Sequence, residues 1–148
     1  VSKQSLGAVI WNVRWGDDSC FESHATQPRA TLIDGCQGGF VAWREGGDEK
    51  QLPNHLNDLT IWNMEATRVV YDNVWNQQWI WWDDNNKWWK NMPPVIVGWK
   101  GLPVRFDTSE GQVKYVESLD MPASPNSLYE AQLKHRLGYV PAWLSALK

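Results

Sequence analysis

The chain has 148 residues, a formal net charge of −3 and a sequence pI of about 5.6. This length fits a single domain over residues 1–148 that can bury a core without extra cross-links. The acidic balance and the scattered basic residues exclude a nucleic-acid-binding arm, and no apolar run is long enough to insert into a membrane.

The first half of the chain carries a weak internal repeat of short apolar runs, each followed by a polar turn residue. The anchors of this repeat are Ile10, Ile33 and Ile61, which are spaced 23 and 28 residues apart. No copy contains a helical period. A strand, a sharp polar turn and a second strand, repeated about every 25 residues, is typical of the coils of a parallel β-helix.

Equivalent inward positions of successive coils lie above one another in such a stack. We therefore expect the isoleucine anchors to form one column, and Val13, Cys36 and Met64 to form a second. Asn12 and Asn63 are expected at a corner, where their side-chain amides can bond the backbone of the turn. The alternative fold is a β-sandwich in which the three strands resemble each other by chance.

The segment from Trp75 to Trp89, WNQQWIWWDDNNKWW, is unusually dense in tryptophan. A hairpin with its turn at 83–86 is the simplest interpretation, although several of the tryptophans would also share one face of a helix. An indole is a large apolar plate with one polar N–H, so amides and carboxylates beside such plates suit the binding of sugars. The alternative is that the rings fill a core, because aromatic side chains also dominate core energetics.

This segment predicts a carbohydrate-binding platform. Sugar rings would stack on exposed indoles, and neighbouring polar side chains would hold the hydroxyl groups. The predicted stacking residues are Trp79, Trp81, Trp88 and Trp89, and the predicted polar residues are Gln78, Asp83, Asn85 and Asn86.

The later part of the chain predicts a second hairpin and one helix. The stretches 104–106 and 113–116 alternate in polarity and flank a turn, which favours a hairpin. The sequence Ser127-Leu128-Tyr129-Glu130 is a capping box, and Gly138 is the expected end of the helix that it starts.

No catalytic or metal site has the residue spacing that its chemistry requires. The sequence has no nucleophile elbow, and nothing in it pairs two carboxylates across a cleft as a glycosidase would need. Arg14, Arg44 and Arg68 follow the repeat anchors and could neutralise a uronate along one face of a coil stack. Residues 83–86 offer oxygen ligands but lack EF-hand spacing, so we expect no cofactor, with Ca²⁺ as the alternative.

The two cysteines, Cys20 and Cys36, leave the redox compartment open. They could form a disulfide, but a buried free thiol is equally compatible with the sequence, because unpaired cysteine is among the most buried residue types. No signal peptide and no initiator methionine stand at Val1, so we expect a mature fragment or an excised domain.

Four stretches resemble a C-terminal domain of unknown function from secreted, polysaccharide-active Bacteroidetes proteins with a right-handed β-helix. They are LNDLTIWN at 56–63, WDDNNKWW at 82–89, MPPVIVG at 92–98 and SLYEAQL at 127–133. The resemblance implies a secreted, periplasmic or cell-surface protein, a β-helical body that continues from a larger N-terminal β-helix, and a glycan-related role. It brings no catalytic residues with it.

Together these features predict a mainly β fold. Residues 1–72 would form a short right-handed β-helix of about three coils, and residues 73–148 would form Trp-rich hairpins and a C-terminal helical cap. We expect carbohydrate binding, with a polysaccharide or oligosaccharide as partner, or structural completion of a larger polysaccharide-degrading protein. The alternatives are part of the catalytic groove of a polysaccharide lyase or glycoside hydrolase, and a purely structural cap.

Overall fold

The computed structural model describes residues 1, 4–21, 27–41, 54–71, 77–79, 81, 89–109 and 111–148, without the side chains of 54–56 and 89–91. Over these ranges the chain is mainly β with two short helices. No helix in the described ranges has the length and apolar character needed to cross a bilayer. The elements are β1 (Val9–Trp11), β2 (Leu32–Asp34), β3 (Gln37–Val41), β4 (Asn54–Leu56), β5 (Thr60–Val70), β6 (Trp89–Asn91), β7 (Val95–Gly101), β8 (Tyr115–Glu117), α1 (Leu128–Leu137) and α2 (Ala142–Ala146).

Every strand pair among the described residues is parallel. The main sheet has the order β1-β2-β5-β7-β8, with β3 also paired to β5, and it is open at β1 and β8. This pairing confirms a mainly β fold and argues against the β-sandwich alternative, whose sheets are antiparallel.

The predicted hairpin between 104–106 and 113–116 is not seen among the described residues, because strands of a hairpin pair with each other in antiparallel fashion and these segments pair elsewhere. The turn of the other predicted hairpin, at 83–86, lies outside the described residues. Residues 115–117 pair in parallel with β7, whereas Phe106 forms a parallel bridge with Trp79. The strand at 89–91 pairs in parallel with β4. Each of these strands therefore finds its partner outside its own neighbourhood in sequence.

The isoleucine anchors stack in the predicted column. Ile10 pairs with Ile33 and Ile33 with Ile61, and the column continues through Ile96 to Val116. The three middle isoleucines are completely buried. This column is one side of the hydrophobic core.

The second predicted column also forms. Arg14, Gln37 and Glu65, the residues that directly follow Val13, Cys36 and Met64, are cross-strand partners, so the three core residues lie level with one another. Met64 in turn pairs with Trp99. Cys36, Met64 and Trp99 are at most 1% exposed. Val13 is 41% exposed because it lies in the outermost strand repeat.

A residue with left-handed backbone follows the paired triplet of each strand in the main column. These residues are Asn12, Gly35, Asn63, Gly98 and Ser118, with φ between 52° and 75°. The predicted corner positions of the two asparagines are thereby confirmed. Asparagine and glycine suit these positions because a left-handed backbone is strained for most other residues.

An aromatic cluster fills the core beside the two columns. The ring of Phe40 lies 4.1 Å from that of Trp79 and 5.1 Å from that of Trp99, measured between centroids. Trp81 stacks on Phe106 at 6.0 Å, with only 7° between the ring planes. All five side chains are buried, so this cluster supplies a large share of the buried apolar area.

Helix α1 starts and ends as the sequence predicts. The Ser127 hydroxyl accepts a hydrogen bond from the backbone N–H of Glu130 at 3.1 Å, which satisfies one of the free amides of the first turn. Gly138 is left-handed and donates its N–H to the carbonyl of Lys134 at 2.8 Å. Leu133 faces the interior, and Leu144 of α2 is also fully buried.

Gly98 provides a test of the left-handed turn. A Cβ at Gly98 would lie 2.0 Å from Oδ1 of Asn63, whereas a Cβ at Gly111, which has a similar φ, would meet no atom within 4 Å. Both Gly→Ala variants carry backbone strain of about 1 kcal/mol. We expect Gly98→Ala to lower the free energy of unfolding by about 2 kcal/mol more than Gly111→Ala, because it also displaces the Asn63 amide. Urea unfolding measures the difference, and equal losses would contradict the close contact.

Candidate functional site

The predicted stacking residues do not form one exposed surface. Trp79 and Trp81 are only 3% and 1% exposed, so the structure contradicts an exposed platform at these two positions. The physical reason is that Phe40 and Phe106 pack against their ring faces. Trp89 belongs to β6 by its backbone, and its side chain is not described.

The remaining predicted site residues fall into two groups. Gln78 is described and half-buried beside Trp79. Those outside the described residues are Trp88, Asp83, Asn85 and Asn86, together with the candidate cation Arg44.

A polar groove on the outer face of the main sheet is the candidate site. Its volume is about 510 Å³, and it lies between the sheet and the C-terminal segment. The sheet side contributes Trp11, Asn12, Arg14, Gly35, Cys36, Gln37, Asn63, Glu65 and Lys100, and the C-terminal side contributes Pro122, Asn126, Ser127, Glu130 and Lys148.

An outward-facing row that precedes the left-handed turns lies beside the groove and contributes Trp11 to its lining. Trp11, Asp34 and Trp62 are direct cross-strand partners in this row. The indole N–H of Trp11 donates to the Ser127 hydroxyl at 3.2 Å, and that of Trp62 donates to the Pro125 carbonyl at 2.7 Å. This row therefore fastens the segment before α1 to the sheet.

Asp34 is the buried member of this row and anchors the start of α1. Its Oδ2 accepts hydrogen bonds from the Ser127 hydroxyl at 2.6 Å and from the backbone N–H of Tyr129 at 2.8 Å. Its Oδ1 is buried without a partner among the described residues. Burial raises the pKa of the Asp34 carboxyl, and the hydrogen bonds from Ser127 and Tyr129 oppose part of that rise.

Asn63 fixes the loop that closes the groove. Its Nδ2 donates to the carbonyls of Ala123 and Asn126, both at 3.0 Å, and its Oδ1 accepts from the Ala123 N–H at 2.6 Å. The amide was expected to bond its own turn, but it instead reaches a segment 60 residues later in the chain. Its left-handed backbone places the side chain where it can do so.

The floor of the groove is a second outward-facing row, which follows the left-handed turns. Arg14, Gln37, Glu65 and Lys100 are consecutive cross-strand partners in this row. The side-chain amide of Gln37 donates to Oε1 of Glu65 at 2.6 Å. Polar and charged side chains thus form a continuous ladder across four neighbouring strands.

The rim of the groove is aromatic at one end. Trp11 is half-buried, and its ring lies 6.1 Å from that of Tyr129 at an angle of 59°. On its other side Trp11 lines a second, more apolar depression of about 390 Å³ together with Val9, Val13 and the exposed Trp143. The groove therefore places a half-buried indole next to amides and hydroxyls, at a tryptophan other than the predicted stacking residues.

The chemistry available in the groove is that of hydrogen bonding and charge. Among the residues whose placement is described, no group of three or more His, Cys, Asp or Glu side chains could hold a metal ion. Cys20 and Cys36 are not joined by a disulfide bond. Cys36 is buried and donates to the carbonyl of Ile10 at 3.3 Å, and burial raises the pKa of its thiol.

Comparison with known proteins gives a family without an assigned activity. The family described as a domain of unknown function (DUF4955) matches residues 1–147, and the chain therefore belongs to it. No curated protein matches the chain, and no solved structure matches it.

The buried carboxylate of Asp34 makes the stability of the chain depend on pH. Its folded-state pKa is raised above the unfolded value of about 3.9. Its contribution to stability is therefore complete below that value and is lost as pH rises through the folded-state pKa. We expect the unfolding free energy of the wild-type chain, minus that of Asp34→Asn, to fall as pH rises from acid to neutral.

Urea unfolding at a series of pH values measures this difference. The variant Asp120→Asn removes an exposed carboxylate and controls for the change in net charge. A difference that grows with pH would mean that Asp34 has a lowered pKa, which contradicts the effect of its burial.

Proposed function

We propose that this member of the DUF4955 family is a non-catalytic carbohydrate-binding module, and that its binding site is the polar groove between the main sheet and α1. The observation that carries the proposal is the groove itself, an open cleft whose lining is rich in amides, hydroxyls and charges and has an indole on its rim. Ligand sites in proteins are clefts of this size with a few converging polar groups.

The polar groups of the groove are held in place before any ligand arrives. Asn63 and Ser127 are fixed by their bonds to the loop and to Asp34, and Gln37 is fixed by Glu65. Rigid donors and acceptors reduce the conformational entropy lost on binding. A sugar ring that stacks on Trp11 would present its hydroxyls to this set.

We further propose that the sheet is one face of a right-handed β-helix, the body of a secreted bacterial protein that acts on polysaccharides. Parallel bridges from Leu6 to Arg29 and from Arg29 to Asn57 add a second line of contacts before the main strands. A left-handed residue follows each of these positions as well, at Gly7, Ala30 and Asp58. Parallel crossover connections are right-handed in about 98% of cases.

A purely structural role is the second candidate, and the open edge at β1 supports it. Leu6, Val9 and Val13 are 77%, 41% and 41% exposed, whereas Leu32 and Cys36, the residues level with Val9 and Val13 in the next repeat, are buried. The outer side of β1 has no strand partner among the described residues. A preceding coil of a larger β-helix would cover this edge and extend the apolar columns.

An enzymatic role is the third candidate. The groove holds two carboxylates, those of Glu65 and Glu130, but each already has a polar partner: Gln37 for Glu65, and Lys148 at 2.9 Å for Glu130. A release assay for reducing ends or unsaturated uronates on the isolated chain distinguishes catalysis from binding.

Substitution of Trp11 tests the proposed binding site. We expect Trp11→Ala to weaken binding to a retained polysaccharide about fivefold, because it removes the stacking surface, which is worth roughly 1 kcal/mol. Trp11→Phe should keep most of the affinity, since it keeps a ring and loses only the N–H donor to Ser127. Affinity electrophoresis against a panel of plant and algal polysaccharides, followed by calorimetry, provides the measurement.

The matched control is Tyr115→Ala, which removes an exposed aromatic ring from β8 at the opposite edge of the sheet. Thermal unfolding of each variant shows whether a loss of affinity is a loss of fold. Equal affinities for the Trp11→Ala and Tyr115→Ala variants would mean that Trp11 does not contribute to polysaccharide binding.

Substitution of the β1 edge tests the structural role. We expect the isolated chain to self-associate through this edge. The double variant Leu6→Lys with Val13→Lys should shift the chain towards monomer. Its melting temperature should stay unchanged, because both side chains are exposed. Size-exclusion chromatography with light scattering measures the change. The control Met121→Lys with Leu137→Lys alters two exposed apolar residues elsewhere, and an equal shift there would contradict a specific edge.

A further inference from the structure

The row on the floor of the groove carries positive charge that the surrounding residues do not neutralise. The charged groove residues are the cations Arg14, Lys100 and Lys148 and the carboxylates of Glu65 and Glu130, of which Glu130 pairs with Lys148 and Glu65 accepts a hydrogen bond from the neutral amide of Gln37. In the part of the chain that the structure describes, the exposed side chains of Arg14 and Lys100 have neither a hydrogen bond nor an ion pair. The groove thus has a local excess of positive charge in a chain whose net charge is −3.

The positions of these two cations follow from the register of the sheet. Arg14 pairs with Gln37, Gln37 with Glu65, and Glu65 with Lys100, so the cations stand at the two ends of one row. Neighbouring strands lie about 4.8 Å apart, which separates the two backbones by roughly 14 Å across the strands. The fixed Gln37–Glu65 pair between them supplies hydrogen-bonding groups.

We propose that the ligand of this groove is an anionic glycan chain that lies across the strands, with acidic groups on separate sugar residues bound by Arg14 and Lys100. The proposal rests on the carbohydrate-binding function proposed above and adds the charge class and the direction of the ligand. Arg14 offers a planar fork that matches a carboxylate or sulfate, and Lys100 acts as a point charge. Gln37 and the groove amides bind hydroxyl groups between them.

The charge of the ligand is tested with matched pairs of polysaccharides. The first pair is polygalacturonate and its methyl ester, which share a backbone and differ in the carboxylate charge. The second pair is dextran sulfate and dextran, which tests whether sulfate serves as well as carboxylate. We expect at least one anionic member to bind about tenfold more tightly than its neutral partner, and this preference to shrink in about 0.5 M NaCl, where exposed charges are screened.

The role of the two cations is tested with a charge-matched pair of variants. Arg14→Gln with Lys100→Gln should lower the affinity for the preferred anionic glycan about tenfold. Arg68→Gln with Lys114→Gln removes the same charge from exposed residues that do not line the groove, and should change the affinity less than twofold. Thermal unfolding confirms that both double variants are folded.

The outcomes separate this inference from the function on which it rests. Anionic preference that is lost in the groove variant and kept in the control supports the inference. Equal binding of charged and neutral partners, or equal loss in both double variants, overturns the inference and leaves carbohydrate binding in place. Failure of every charged and neutral polysaccharide to bind overturns both.

Discussion

The left-handed turn that follows each strand of the main column is the constraint on which the rest of the structure depends. A positive φ at Asn12, Gly35, Asn63, Gly98 and Ser118 bends every chain segment at the same level of the sheet, and the parallel register is the same before and after the bend. The turns align one outward row before the corner and another after it. The second row becomes the floor of the groove and the first contributes Trp11 to its lining, so the candidate site is a direct product of the register.

The two faces of the sheet divide the aromatic residues between stability and recognition. On the inner side Trp79, Trp81 and Trp99 surround Phe40 and are sealed from water. On the outer side Trp11 uses its N–H to hold the start of α1 and keeps part of its ring accessible. The high tryptophan content therefore indicates a large aromatic core first, and the surface suited to a sugar lies elsewhere in the chain.

Local motifs and the sequence repeat predicted their structures well, whereas pairings outside the repeat were not predictable. The isoleucine column, the two asparagine corners and the Ser127 cap each depend on short motifs. The sequence repeat does not reveal strands β7 and β8, because Ile96 and Val116 follow the preceding anchors at spacings of 35 and 20 residues. The hairpin predicted between 104–106 and 113–116 did not form, because turn composition favours adjacent strands while these residues pair with distant ones. The groove could not be foreseen, because it exists only once Ser127 bonds to Asp34, 93 residues earlier.

The uneven spacing of the stacked anchors has an evolutionary consequence. Successive members of the isoleucine column are separated by between 20 and 35 residues, yet the register is the same at every step. The connections absorb all of this variation, since each strand packs mainly on its immediate neighbours. Insertions and deletions in the connecting loops are therefore tolerated, and new surface chemistry can be acquired there while the stacked interior is inherited unchanged.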